Sequence, residues 1–503
     1  MTVARVVGWL EDRSDWLSPL VVKEIRQVVR GREFSLSFGA CLVAGLVVAF
    51  LGATDVLAGG TAGRWTFVSL MACLAFLGLA VVPLGAFNAL RRERVEQTFD
   101  LITLTALSSR RVVIGKLMTQ AVRLTTLFAA MAPFVAMSFL LGGIDFVTIA
   151  VSLVVLFMAS LWMCALCVFL SALARARALS AVIFAGVGIA LLFAAGIFGT
   201  AFRAISMGIF FGPLGGGPTT SEVLWILAGL STVWLVTLVN LVLLAVNRLS
   251  LPTEDSVTPL RLGFLAQLLL FVGWAVSFLF EPPNIREGVG LMLYRIGGIH
   301  LAAVAVFAVT ERPAVPRRAV LRMQPASFPG WLARVFGPGG GRGAFTVFLQ
   351  LLILVGALAL FPIDPYDRRR ILTAFGYLCF YVAVPTLAFR LAFPKYATPA
   401  RLGIAMLVTL AAAMALPDLL YYLIFQPDLL SLEFSFRQLL NPLQTMANWR
   451  IVETNGWGLI PSTIGIFGVL ALVALVPTGA RLAAEEASVG ATGRQLESSA
   501  AAD

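Results

Sequence analysis

The chain has 503 residues, 59% of them hydrophobic and 13% charged, and a formal net charge of +11. A soluble domain carries about a quarter charged residues, so a chain this poor in charge cannot cover a water-facing surface and is suited to lipid. Its basic residues fall in short segments between apolar runs, which argues against nucleic acid as a partner and matches the cytoplasmic loops of a membrane protein.

Residues 1–33 form an N-terminal cytoplasmic amphipathic segment. They include Arg5, Glu11, Asp12, Arg13 and Asp15, and no apolar run precedes a small-residue cleavage site, so no secretory signal is predicted. Ser18 can cap a helix with Pro19 at its first position. On that helix Val21, Ile25 and Val28 share one face, and Lys23, Arg26 and Arg30 another. Such a helix lies in the headgroup layer. Its pattern fits a plain anchor or an elbow beside a cytoplasmic partner equally well.

A membrane helix needs about 20 predominantly apolar residues. About twelve runs qualify, near 34–53, 65–90, 117–141, 146–173, 178–199, 222–246, 262–280, 289–310, 344–362, 371–393, 402–425 and 457–477. The fold class is therefore all-α, a polytopic integral membrane protein of about twelve transmembrane helices in two sets of six. Residues 34–250 form the first six-helix domain, and the polar stretch L-S-L-P-T-E-D-S-V-T-P leads to a second at 251–478. The second holds a basic loop at 311–343 and an outside segment at 426–456, in which E-F-S-F-R-Q-L-L-N-P-L-Q-T-M-A-N-W reads as a surface helix. Residues 479–503, rich in Ala, Ser and Glu, read as a disordered cytoplasmic tail. With the N-terminus inside, 27 of the 37 Lys and Arg fall in inside segments and 8 outside, which predicts both termini cytoplasmic. The run Asp367-Arg368-Arg369-Arg370 violates that asymmetry, so the span count turns on residues 363–401.

Between the second and third runs lies the charged stretch R-R-E-R-V-E-Q-T-F-D-L-I-T-L-T-A-L-S-S-R-R-V-V-I-G-K, residues 91–116. Thr98 can cap a short helix bearing Phe99, Leu101, Ile102 and Leu104. Ser108 or Ser109 can cap a second that enters the third span. Two short helices joined by a turn make a stiff protrusion, apolar at Phe99 and Ile102 and charged at Glu93, Glu96 and Asp100. An ordinary solvated loop would show the same composition.

Other motifs carry less. Cys164 and Cys167 form a C-x-x-C inside an apolar run, without further metal ligands, and read as small packing residues. The run G-P-G-G-G-R-G at 337–343 lacks the G-K-[ST] ending of a phosphate-binding loop and reads as a flexible connection. Within the spans, Arg123 lies within snorkelling reach of the inner surface. His300, the one histidine, reads as an interhelical hydrogen-bond residue rather than a proton relay, and Asn88, Asn240, Gln267 and Gln350 as polar packing residues. Asp418 could meet a cation. No metal site, catalytic residue or hydrolase pair is evident.

Residues 18–250 resemble the permease subunits of ABC transporters of the ABC-2 class. S-P-L-V-V-K-E-I-R-Q-V-V-R-G-R-E-F is similar to that family's amphipathic elbow, with Pro19, Lys23, Glu24, Arg26 and Arg30 on or near its pattern. E-R-V-E-Q-T-F-D-L-I-T-L-T-A-L-S-S-R-R-V-V-I-G-K is similar to its coupling region, with Glu93, Glu96, Thr98, Phe99, Asp100, Leu101, Ile102, Leu107, Ser108, Gly115 and Lys116 as the matching or contacting positions. Asp100 replaces the usual Glu, and Ala106 the usual Pro, which leaves the turn before Leu107 less fixed. A weaker match is F-L-S-A-L-A-R-A-R-A-L-S after the fourth span.

The resemblance implies that residues 91–116 dock on a separate ABC-type ATPase subunit, which binds ATP and Mg. This chain binds no cofactor of its own and is not an enzyme, since it has no Walker A or L-S-G-G-Q sequence. The resemblance further implies export, a dimer with a second permease copy or paralogue, and a bacterial-type cytoplasmic membrane. Two alternatives stay open: a secondary transporter of about twelve spans, using His300, Arg295 and Asp418, and a membrane-embedded transferase acting near Asp364 and Asp367. The substrate is not legible.

Overall fold

A computed structural model of the chain describes residues 25–27, 30–57, 63–95, 109–142, 144–173, 177–206, 220–250, 255–309, 311, 335–393, 398–425 and 434–477. The protein is an all-α polytopic membrane protein. Among the described residues twelve helices are long and apolar enough to cross a membrane, and each overlaps one of the twelve predicted runs. The chain divides into two compact units, Met1–Ser250 and Leu251–Asp503.

The first unit contains α1 (Arg32–Leu57), α2 (Gly63–Phe76), α3 (Val82–Val95), α4 (Ser109–Leu140), α5 (Phe146–Leu173), α6 (Arg177–Ser206) and α7 (Thr220–Leu249). A π-helical stretch, Leu77–Val81, joins α2 to α3 into one span. Its cause is local. Pro83 has no N–H to give an ordinary i−4 carbonyl and would clash with it, and a wider turn just before it relieves both problems. The Val82 N–H accordingly donates to the Leu77 carbonyl, five residues back. The start of α5 is set by Asp145, whose carboxylate accepts from the Thr148 N–H at 2.8 Å and the Thr148 hydroxyl at 2.6 Å. Burial pushes the Asp145 carboxyl up, but hydrogen bonds from Thr148 and from the Asp145 and Val147 backbone together outweigh it and hold the group below the usual range.

At the ends of the spans the packing is close. A Cβ on Gly63 would lie 1.6 Å from the Gly142 carbonyl oxygen, so only glycine lets α2 begin against the end of α4. The outer faces carry large exposed apolar side chains, among them Leu36, Leu46 and Phe50 on α1 and Phe193 and Ile197 on α6. In water these would be a liability; in hydrocarbon they need no cover.

The second unit contains α8 (Val257–Val276), α9 (Pro283–Val309), α10 (Gly340–Leu358), α11 (Pro365–Ala392), α12 (Pro399–Phe425), α13 (Pro442–Ala447), α14 (Trp449–Thr454) and α15 (Leu459–Pro477). Asp364 caps α11 by accepting from the Tyr366 N–H, with Pro365 at the first helical position. Asp367-Arg368-Arg369-Arg370, the charge-rule violation, is thus the first two turns of a transmembrane helix rather than a loop.

Two sequence expectations change here. The segment around 434–454 is not one surface helix. It is a 3₁₀ turn (Phe436–Leu440) followed by α13 and α14, interrupted at Asn441 and Asn448. Asn441 accepts from the N–H groups of Leu443 and Gln444, and Pro442 follows it, which stops one helix and starts the next. The turn folds back into the unit: the Tyr377 and Tyr381 hydroxyls donate to the Leu439 and Leu440 carbonyls, and Asn441 Nδ2 donates to the Met414 carbonyl at 3.2 Å. Tyr377 lies seven residues past Arg370, about 10 Å of helix rise. Irregular backbone at that depth must find its partners in protein, and these side chains supply them. Asp418 does meet a cation, but an internal one: it pairs with Arg437 at 3.3 Å and accepts from Gln438 at 2.7 Å.

The second change is at 337–343. The glycine-rich run is not a free connection; Phe336 to Gly339 are buried and Gly339, at φ 128°, precedes the first residue of α10. Residues 312–334 of the basic loop lie outside the described residues, as does the tail from 478.

Candidate functional site

The predicted coupling stretch enters and leaves the first unit at well-defined points. Glu93 lies on the last turn of α3. Glu96, Thr98, Phe99, Asp100, Leu101, Ile102, Leu107 and Ser108 lie outside the described residues, as do Pro19, Lys23 and Glu24 of the elbow. Arg26 and Arg30 are exposed. Gly115 and Lys116 are buried on the second turn of α4.

The foot of α4 is tied to the rest of the unit. The Ser109 hydroxyl donates to the Leu249 carbonyl at the end of α7, 3.2 Å away. The Ser171 hydroxyl near the end of α5 donates to the Phe87 carbonyl of α3 at 2.9 Å. Arg91 places its guanidinium 5.6 Å from the Phe184 ring centroid of α6. The ends of α3, α5 and α7 therefore meet the starts of α4 and α6 at one end of the unit. Arg91, Arg92, Glu93, Arg110, Arg111, Lys116 and Arg248 lie at that end, and Asp55, Arg64, Asp145 and Arg203 at the opposite one.

Above this end runs a polar stripe on α4: Lys116, Gln120 and Arg123, at helical spacing and each about 95% buried. Arg123 does not snorkel outward. Its Nη2 donates to Ser37 Oγ of α1 at 3.2 Å, and a Cβ on Gly85 of α3 would lie 2.9 Å from its Nη1. One guanidinium thus joins the first three spans. The sequence did signal it, since Lys116, Gln120 and Arg123 repeat at i, i+4 and i+7. The partners Ser37 and Gly85 had no signal of their own.

The second unit has its own buried charge cluster. Arg261 of α8 donates to the Gly337 carbonyl, to the Gly339 carbonyl at 3.1 Å, and to the carboxylate of Glu311, with which it forms an ion pair. The Gly339 N–H donates to the same carboxylate at 3.3 Å, and Arg390 Nη2 of α11 donates to the Glu311 carbonyl at 2.9 Å. The ends of four spans converge on one residue.

Burial pushes the Glu311 carboxyl above its usual value and Asp255 adds to that, while Arg261 and the Gly339 N–H pull it back without cancelling it. The folded protein therefore holds a proton at Glu311 more readily than the unfolded chain. From about pH 4.3, the ordinary glutamate value, up to the raised folded value, ionisation of this group works against folding, so its contribution falls as pH rises. Glu311→Gln should flatten the stability–pH profile in that window, read by thermal unfolding in detergent; an unchanged slope would count against this assignment.

His300 bonds Gln350 of α10 through Nε2···Oε1 at 2.9 Å, and its ring makes T-shaped contacts with Phe264 and Phe271. It is an interhelical hydrogen-bond residue. Cys164 and Cys167 are buried free thiols. Among the described residues no group of three or more His, Cys, Asp or Glu could hold a metal ion. The chain is a multi-pass membrane protein whose fold suits a membrane transporter in general. No family model, curated protein or solved structure matches it.

Proposed function

We propose that this chain is the permease subunit of an ATP-driven transporter of the ABC-2 class, an exporter moved by a separate ATPase that docks on residues 91–116. It lies in a bacterial-type cytoplasmic membrane with both termini inside. It works as a dimer with a second permease copy or paralogue, and ATP and Mg are handled by the partner ATPase.

The observation that carries this reading is how the stretch is footed. A push on residues 96–108 is received by α3 and α4, whose junctions are bonded to α5 and α7, so force enters several spans at once. Arg123 links α4 to α1 just above. The π-helical stretch at Leu77–Val81 gives the second span a place to flex between the pushed end and the far end, a use such bulges often serve.

The test is co-purification of the chain with a co-expressed ABC-type ATPase, for native protein and for Glu96→Lys and Phe99→Ala. Association and transport-stimulated ATP hydrolysis should fall at least tenfold in Glu96→Lys, with membrane insertion intact. Unchanged association in both variants sinks the coupling role. So does labelling of a cysteine placed at Thr98 from the outside of intact cells.

A further inference from the structure

The second unit holds a lateral groove of about 450 Å³ between α10, α11 and α15. Its walls are apolar, with Val355, Leu372 and Ile466 among them, and its floor is the crossing of α11 and α15 at Gly376 and Gly465. Leu372, Ile466 and Leu470 are exposed, so the groove opens sideways on the face that meets lipid. Among the described residues three polar ones line it. The Thr373 and Ser462 hydroxyls are spent on carbonyls of their own helices, Arg369 and Gly458. Among the described lining residues that leaves Arg369 as the polar group presented to an occupant.

Arg369 stands at one end, in the first two turns of α11, about 10 Å of helix rise from Gly376. Its side chain is 66% exposed and pairs with Glu453 of α14 at 3.0 Å. Arg368 and Arg370 flank it on a helix start that the Asp364 carboxylate already caps and that also carries Asp367. A run of arginines on this end of the unit runs against the charge asymmetry of the rest of the chain.

From this geometry we infer a binding site for an anionic phospholipid of the bilayer: one acyl chain in the groove, the headgroup phosphate on Arg369. The volume suits part of one chain. The opening faces hydrocarbon, and the sole functional charge is a guanidinium, which suits a phosphate better than any other headgroup atom. Glu453 competes with the phosphate for Arg369, so binding exchanges one ion pair for another.

The inference does not depend on the ATPase reading, and its test is separate. The delipidated full chain in neutral detergent is titrated with short-chain phosphatidylglycerol and with diacylglycerol of the same chain length, which lacks the phosphate, by calorimetry. Native protein should prefer phosphatidylglycerol about tenfold, the scale of one charge-assisted contact. Arg369→Gln should remove that preference, and Glu453→Gln should strengthen phosphatidylglycerol binding severalfold. Ile466→Trp, at the exposed rim, should weaken both lipids about tenfold by filling the groove. The distant Arg401→Gln should change neither. Equal binding of the two lipids by native protein overturns the site. So does a preference that survives Arg369→Gln, or one lost equally with Arg401→Gln.

Discussion

Arg261→Met should destabilise the second unit by about 3–5 kcal/mol, the usual penalty for removing one partner of a buried ion pair. The variant strands the Glu311 carboxylate together with the Gly337 and Gly339 carbonyls, all of which now accept from one guanidinium. Glu311→Gln should cost less, because Arg261 keeps its carbonyl partners and the amide can still accept, although the buried guanidinium loses its counter-charge. The double variant Arg261→Met, Glu311→Gln should recover part of the loss, since the stranded charge is gone. Unfolding by sodium dodecyl sulfate titration in mixed micelles reads all three. A double variant no better than Arg261→Met would show that the carboxylate is not the cause, and that the stranded carbonyls are.

Gly376→Val should be at least as damaging, about 3 kcal/mol or more, at the upper end of overpacking penalties. A Cβ there would lie 2.4 Å from the Gly465 Cα, and one on Gly468 2.3 Å from the Phe380 nitrogen. The obstacle is backbone on both helices, so no side-chain rotation can relieve it; α11 and α15 must separate. Gly356→Ala in α10 is the control. A Cβ at Gly356 meets nothing within 4 Å, and alanine is a better helix residue by about 0.5–1 kcal/mol. It should be neutral or slightly stabilising in the same titration. Equal losses at the two positions would mean that the crossing does not set the cost.

Where the sequence misled is instructive. G-P-G-G-G-R-G looks like a flexible connection because glycine permits many conformations. Here glycine is used for closeness instead: a Cβ on Gly343 would lie 1.9 Å from the Ala308 carbonyl oxygen, and the run wraps Arg261. Residues 433–449 look like a surface helix because they carry polar side chains and lie between two spans. The polar groups are turned inward, where Gln438 and Asn441 satisfy backbone and Asp418 within the bundle. Composition cannot separate a polar residue facing water from one serving a buried partner.

The positions of the twelve spans were settled by local sequence alone. Hydrocarbon demands about 20 apolar residues per crossing whatever the neighbours are, so a windowed reading suffices, and the helix start at Asp364-Pro365 is as local. Which faces meet was settled only in three dimensions. Arg261 and Glu311 are 50 residues apart, Ser37 and Arg123 86 apart. A helix's rotation about its axis is set by packing against other helices, and lipid, equally apolar on every side, gives no local clue to it.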